Sequence, residues 1–216
     1  MSDHLPYNPL DKKNLGVSVA EALLSSAAIP MKSLKRFKGA GIYAIYYAGD
    51  FSTYRPLSQL NKRGKFKAPI YVGKAIPAGA RKGGFGLDNK PTVALFNRLA
   101  EHAESVNSAK NLDIQDFYCR YLAVDDIWIP LGESLLIAKF SPLWNTLVDG
   151  FGNHDPGKGR YEGFCSRWDV LHPGRAWAAK CRQRRETVEQ IRNDIAEYFR
   201  SRPSLTSGIF PLPSQE

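Results

Sequence analysis

GIYAIYY, residues 41–47, is the stretch on which the fold turns. It is rich in β-branched and aromatic residues, so it reads as a strand. Downstream, residues 50–67 are polar and basic and read as an inserted loop, with Arg55, Lys62, Arg63, Lys65 and Lys67. Residues 70–72 give a second short strand, and a Gly- and Lys-containing loop with Arg81 and Lys82 runs from 73 to 90. Residues 92–106 show helical spacing, with Val93, Phe96, Ala100 and Ala103 on one apolar face and Leu95 and Leu99 widening it. FYCRYLAV, 117–124, is a third strand. PLGESLLIAKF, 130–140, is a second core helix ended by Pro142.

The flanks read as helical additions. Ser18-x-x-Glu21 has the capping-box pattern and opens a short helix over 18–25, followed by a basic connector over 29–39. A Gly-rich loop follows at 151–160, then an amphipathic helix over 184–202 with Val188, Ile191, Ile195 and Tyr198 on one side. The tail after Pro203 is expected to fray. The order strand, loop, strand, helix, strand, helix predicts an α+β fold: a small three-stranded mixed or antiparallel sheet flanked by helices. The expected organisation is a single compact domain in three parts. These are an N-terminal helix and connector (1–38), a core (39–148) with its insertion (50–68), and a C-terminal loop and helical extension (149–216).

Composition narrows the function. The chain has 216 residues, and 30 Lys+Arg against 21 Asp+Glu leave a net charge of +9, which points to a polyanionic partner. Hydrophobic residues at 43% exclude a disordered chain. No apolar run approaches the roughly 20 residues of a membrane span. The first residues, MSDHLPYNPLDKKN, lack the apolar region of a secretory signal. Cys119, Cys165 and Cys181 are odd in number and far apart, and the four histidines have no ligand spacing, so neither a disulfide framework nor structural zinc is expected. Idle thiols suit a reducing cytoplasm.

Several polar residues fall where chemistry needs them. Tyr43 and Tyr71 sit in Gly41-Ile42-Tyr43 and Tyr71-Val72-Gly73, and glycine beside a strand tyrosine permits close approach of a backbone or a phosphate. Arg98 and His102 are i and i+4 on the long helix, off its apolar stripe, and a shared anionic target would explain the pair. Glu133 stands near the start of an apolar helix. There it either answers the helix dipole or serves as a single carboxylate ligand of a hard metal ion. Asn145, after the helix end, suits a bracing role.

In this order the set resembles the GIY-YIG nuclease superfamily. YVG stands in place of YIG, and the two tyrosines are 28 positions apart where the superfamily usually has a short hairpin. GAGIYAIYYAG, PIYVGKAIPAG, PLWNTLVDGFGNHDPGKGR and WDVLHPGRAWAAKC resemble the small GIY-YIG type II restriction endonucleases that cut CCGCGG. The resemblance implies Mg2+-dependent hydrolysis of double-stranded DNA, with one ion per active site on Glu133. It makes Tyr43, Tyr71, Lys74, Arg98, His102, Glu133 and Asn145 the catalytic set. Tyr43 is the candidate general base, with His102 and Lys74 relaying its proton or lowering its pKa; its role and that of Tyr71 are exchangeable at this stage. The insertion (Arg55, Lys62, Arg63, Lys65, Lys67), Arg81, Lys82 and the segment around Arg160, Arg167 and Arg175 are candidates for DNA contacts. A palindromic target implies a homodimer, and the family implies a companion DNA methyltransferase and a bacterial cytoplasmic location. The competing readings are a structure- or lesion-directed repair nuclease and a non-catalytic DNA-binding module.

Overall fold

The computed structural model describes residues 8, 10–76, 92–157 and 161–202. Seven helices and four strands lie among these residues: α1 (Lys12–Ser25), β1 (Ile29–Pro30), β2 (Gly41–Tyr47), α2 (Arg55–Asn61), β3 (Tyr71–Ala75), α3 (Ala94–Ser108), β4 (Phe117–Ala123), α4 (Ile129–Phe140), α5 (Leu143–Thr146), α6 (Arg167–Leu171) and α7 (Val188–Arg200). The strands form one antiparallel sheet in the order β1-β4-β2-β3. The expected α+β fold is therefore present, with a fourth strand in the stretch read as connector. β1 escapes a pattern reading because it is two residues long and one of them is Pro30.

GIYAIYY is buried at all seven positions because helices cover both faces of β2. On one face Ile42, Ala44 and Tyr46 meet Ala20 and Leu23 of α1 and Ile129 and Leu136 of α4. On the other, Tyr43, Ile45 and Tyr47 meet Leu57 of α2, Leu95 and Leu99 of α3, Trp144 of α5, Trp168 of α6 and Ile191 of α7. α1 and α4 pack closely because two glycines remove side chains from their contact. A Cβ on Gly16 would lie 2.1 Å from Leu135 Cδ1, and one on Gly132 would lie 2.8 Å from Val19 Cγ1.

Local details depart from the pattern reading. α1 starts six residues before the expected helix, because the Asp11 side chain accepts from Lys13 N and caps it there. In α3 the buried stripe is Leu95, Leu99, His102 and Val106. His102 thus lies inside the apolar face, one rotation away from the stripe expected at 93, 96, 100 and 103.

The insertion is more than a loop. Tyr54 and Leu57 are core residues, and the buried Asn61 amide donates to Tyr47 O and Ala68 O while accepting from Ala68 N. Tyr54 Oη bonds His172 Nε2 at 2.6 Å and accepts from Trp144 Nε1 at 3.0 Å, while His172 Nδ1 donates to Asn111 Oδ1 at 2.9 Å. Both ring nitrogens of His172 are thereby satisfied in the neutral form, with the Tyr54 hydroxyl donating to Nε2. Burial, reinforced by Arg192, lowers the His172 pKa to about 3. A depressed folded-state pKa means that the unfolded chain binds the proton first. Stability is therefore full above about pH 6.5 and falls as pH drops toward 3, by on the order of 4–5 kcal/mol at the limit. Denaturant melts from pH 7 to pH 4 should show this decline, and His172→Gln should be less stable at pH 7 but flatter below it. An unchanged acid slope in that variant would rule out His172 as the source.

Candidate active site

The site forms at the edge strand β3, between the two helical layers. Tyr43 sits one strand inward on β2, opposite Gly73 of β3. Its phenol reaches the edge only because position 73 has no side chain: a Cβ there would lie 2.4 Å from Tyr43 Oη and 2.5 Å from its Cζ. That contact accounts for the glycine of the second tripeptide. Gly41 in the first tripeptide has a different reason, since a Cβ there would lie 1.9 Å from Leu122 O on β4.

Tyr43 Oη meets His102 Nε2 at 2.6 Å, with both groups buried. Burial holds the imidazole well below its ordinary pKa, and the nearby Arg98, His154 and Arg175 reinforce this. His102 is therefore neutral, and the Tyr43 hydroxyl donates to it. Burial also pushes the Tyr43 phenol well above its ordinary pKa; Tyr71 adds to the rise while Arg98 opposes it. The Tyr71 phenol is raised by burial and by Glu133, again against Arg98. His102 thus supplies no positive charge to lower the Tyr43 pKa; it supplies an acceptor for the proton.

Arg98 comes from the same helix, one turn earlier. Its Nη2 donates to Gly152 O at 2.8 Å, and its Nη1 bonds Glu101 Oε2 at 3.0 Å and also His154 Nε2. Phe151 stacks flat on the His102 ring, with centroids 4.5 Å apart and planes 14° apart, and meets Tyr71 edge-on. From the opposite layer α4 presents Glu133, whose Oε2 pairs with Lys74 Nζ at 2.6 Å. Asn145 closes the outer edge of β3: its Oδ1 accepts from Val72 N and its Nδ2 donates to Val72 O, both at 2.8 Å. A side-chain amide thus serves the strand where, among the described residues, no further strand pairs.

The seven expected catalytic residues, Tyr43, Tyr71, Lys74, Arg98, His102, Glu133 and Asn145, are brought to this edge from two strands, β2 and β3, and three helices, α3, α4 and α5. Phe151, Gly152, Glu101 and His154 also touch the set, although sequence reasoning gave them no role. For Phe151, Gly152 and His154 the available signal was the stretch GFGNHD, whose glycines flank an aromatic residue.

A family model described as the Eco29kI GIY-YIG domain matches residues 35–199. The chain belongs to that family. It is a site-specific endonuclease of the restriction type, with DNA as substrate. A comparison with curated proteins finds no match. The match begins after α1 and includes the insertion and α6, so in this GIY-YIG chain the family signature extends well beyond the catalytic edge.

The proposed DNA-contacting residues divide. Arg55, Arg63, Lys65 and Lys67 are exposed, whereas Lys62 is paired with Asp50 at 2.5 Å. Arg81, Lys82 and Arg160 lie outside the described residues. Two cations of the C-terminal segment are corrected by the structure. Arg167 is bound to Glu186 and Asp194, and Arg175 is 5% exposed, so neither is free to meet a phosphate. Among the described residues no helix is long and apolar enough to cross a membrane.

Proposed function

We propose that this endonuclease cuts both strands of a palindromic GC-rich site, CCGCGG, as a Mg2+-dependent homodimer with one ion and one catalytic edge per protomer. The observation that carries the reading is the Tyr43–His102 hydrogen bond beside Arg98 and across β3 from Glu133. It supplies a proton path, a cation for the phosphate and a carboxylate in one place. Among the described residues no three His, Cys, Asp or Glu side chains cluster as a ligand cage. A single carboxylate fits Mg2+, which binds through one or two carboxylates together with water and phosphate oxygens. Glu133 would hold it, and when bound the ion would polarise the scissile phosphate and ease departure of the leaving oxygen.

The protein groups supply the rest. The attacking water gives its proton to Tyr43 Oη as that hydroxyl passes its own to neutral His102 Nε2. The relay spares a phenolate that burial disfavours; the imidazolium it makes is disfavoured by the same burial, and the negative charge building on the adjacent phosphate offsets that cost. Arg98 stabilises the charge that builds on the phosphate. Tyr71 orients the water or the phosphate. Lys74 holds the Glu133 carboxylate in place and offsets its charge. Asn145 fixes the height of β3, and with it Tyr71 and Lys74.

Exposed cations of the insertion set the register on the phosphates, and Arg or Lys contacts to guanine O6 and N7 would give sequence selectivity. A nuclease of this specificity needs a companion methyltransferase to protect resident DNA, and a bacterial cytoplasm suits both.

A Mg2+ digest of a plasmid carrying CCGCGG, followed by sequencing of the ends, tests the reading. Discrete fragments cut at that site support it. Cutting only of branched or damaged DNA would replace it with a repair role, and no product under any condition would leave a binding module. Gly73→Ala provides a finer check. The added methyl displaces the Tyr43 phenol, and single-turnover cleavage should fall by about 100-fold, with a stability loss of about 1–3 kcal/mol from the overpacked ring. Wild-type cleavage by this variant would mean that the crossing phenol is not used.

A further inference from the structure

The stretch WDVLHPGRAWAAKC, residues 168–181, is left unexplained by the chemistry above, and at its centre is a buried arginine. Arg175 and its carboxylate partner Asp169 are each 5% exposed, with Nε donating to Asp169 Oδ1 at 2.6 Å. The guanidinium lies 4.4 Å from the Trp168 ring and 4.7 Å from the Trp177 ring. A charge withdrawn from water this far must be paired and fully hydrogen-bonded. The Nη hydrogen bonds of Arg175 go to one loop: Nη2 to Gly150 O at 2.9 Å, and Nη1 to Phe151 O and Asn153 O, both at 3.2 Å.

Gly152, within that loop, is the residue Arg175 leaves out. Its carbonyl accepts from Arg98 Nη2, and its neighbour Phe151 stacks on His102. Two arginines therefore grip one short loop, one from the core and one from the site. The loop is shaped for this. Gly150 has φ +101°, a left-handed conformation that favours glycine, and a Cβ on Gly152 would lie 2.9 Å from Tyr71 Oη and 3.0 Å from Arg98 Nη2.

We propose that Arg175 is a positioning residue for DNA cleavage. It fixes residues 150–153 so that the Gly152 carbonyl aims the Arg98 guanidinium and Phe151 holds His102 against Tyr43. The inference rests on the roles given to Arg98 and His102 above. The positive charge of Arg175 serves the loop and does not reach the DNA. A lysine in its place keeps a charge beside Asp169 but lacks the planar fork that reaches three carbonyls and a carboxylate together.

The test compares purified full-length variants in single-turnover cleavage and in DNA binding without metal. Arg175→Lys should lower the cleavage rate on the order of 100-fold with DNA affinity unchanged. Trp177→Leu removes one stacking wall and no hydrogen bond, and should give a smaller fall of the same kind. Arg167→Lys weakens the same C-terminal segment through Glu186 and Asp194; it should lower the melting temperature and keep the rate. Because Arg175 acts partly through Arg98 and partly through the Phe151–His102 stack, adding Arg175→Lys to Arg98→Ala should cost clearly less than it costs the wild-type protein. An additive further fall in the double variant, or an equal rate loss in Arg167→Lys, would overturn the inference and leave the reading of the site standing. Wild-type cleavage by Arg98→Ala would overturn that reading, and this inference with it.

Discussion

Glu133→Ala is expected to bind duplex DNA as tightly as the wild-type protein and to leave it uncut. The carboxylate is on the fifth residue of α4, half-buried, and its partner in the structure is Lys74. Its loss frees a lysine at the site, so the local charge becomes more positive and affinity for a polyanion does not fall. The fold should survive, because a partly exposed ion pair contributes little and α4 stays anchored by Ile129, Gly132 and Leu136. The rate is a different matter. Stabilisation of a phosphoryl transition state by a bound divalent ion amounts to several kcal/mol, so removing its one carboxylate should cost about 1,000-fold or more. Gel-shift binding together with a timed Mg2+ plasmid digest measures both quantities. A variant that still cuts at the wild-type rate would sink the assignment of Glu133 as metal ligand. One that neither binds DNA nor melts cooperatively would mean that the residue is structural.

Tyr43→Phe should produce the second largest effect. It deletes one oxygen and keeps the ring that fills the space over Gly73. Cleavage should fall by roughly 100- to 10,000-fold, the range for loss of a positioned acid–base group. Stability should fall by only about 1–3 kcal/mol, because His102 Nε2 is left as a buried acceptor without its donor. Single-turnover rates with a thermal melt separate the two. Tyr71→Phe is the matched comparison: its phenol is less deeply placed and it has no bond to His102. If Tyr71→Phe abolishes cutting while Tyr43→Phe does not, the proton path runs through β3 and the roles are exchanged.

What the sequence revealed follows from what local pattern records. GIYAIYY reads as a strand from its residue types alone, and α4 reads as a helix because Pro130 and Pro142 frame an apolar run. Position within the sheet is less visible. β1 is too short to show a period, and the cap of α1 at Asp11 competes with an equally plausible one at Ser18. His102 was placed on the wrong side of α3 because a periodicity count treats imidazole as polar. In the fold, Tyr43 satisfies it from 59 residues away, and the ring can then be buried. Arg98 and Glu133 were legible only through resemblance, since no local rule distinguishes them from a solvated arginine and a helix-dipole glutamate. Arg175 was misread as a surface cation for the same reason: its carbonyl partners lie 22 to 25 residues earlier in the chain, and nothing adjacent to it announces them.

The clasp on residues 150–153 also sets an order in time. Arg98 leaves the ribosome 54 residues ahead of the Gly152 carbonyl that receives it, and Arg175 follows later still. A nascent chain can therefore hold both tyrosines, Arg98 and Glu133 before the seat for its guanidinium exists. A chain stopped before Arg175 would carry those groups without the clasp that the proposed positioning role requires. The groups of the site are thus made before the arginine to which the proposal gives the task of positioning them.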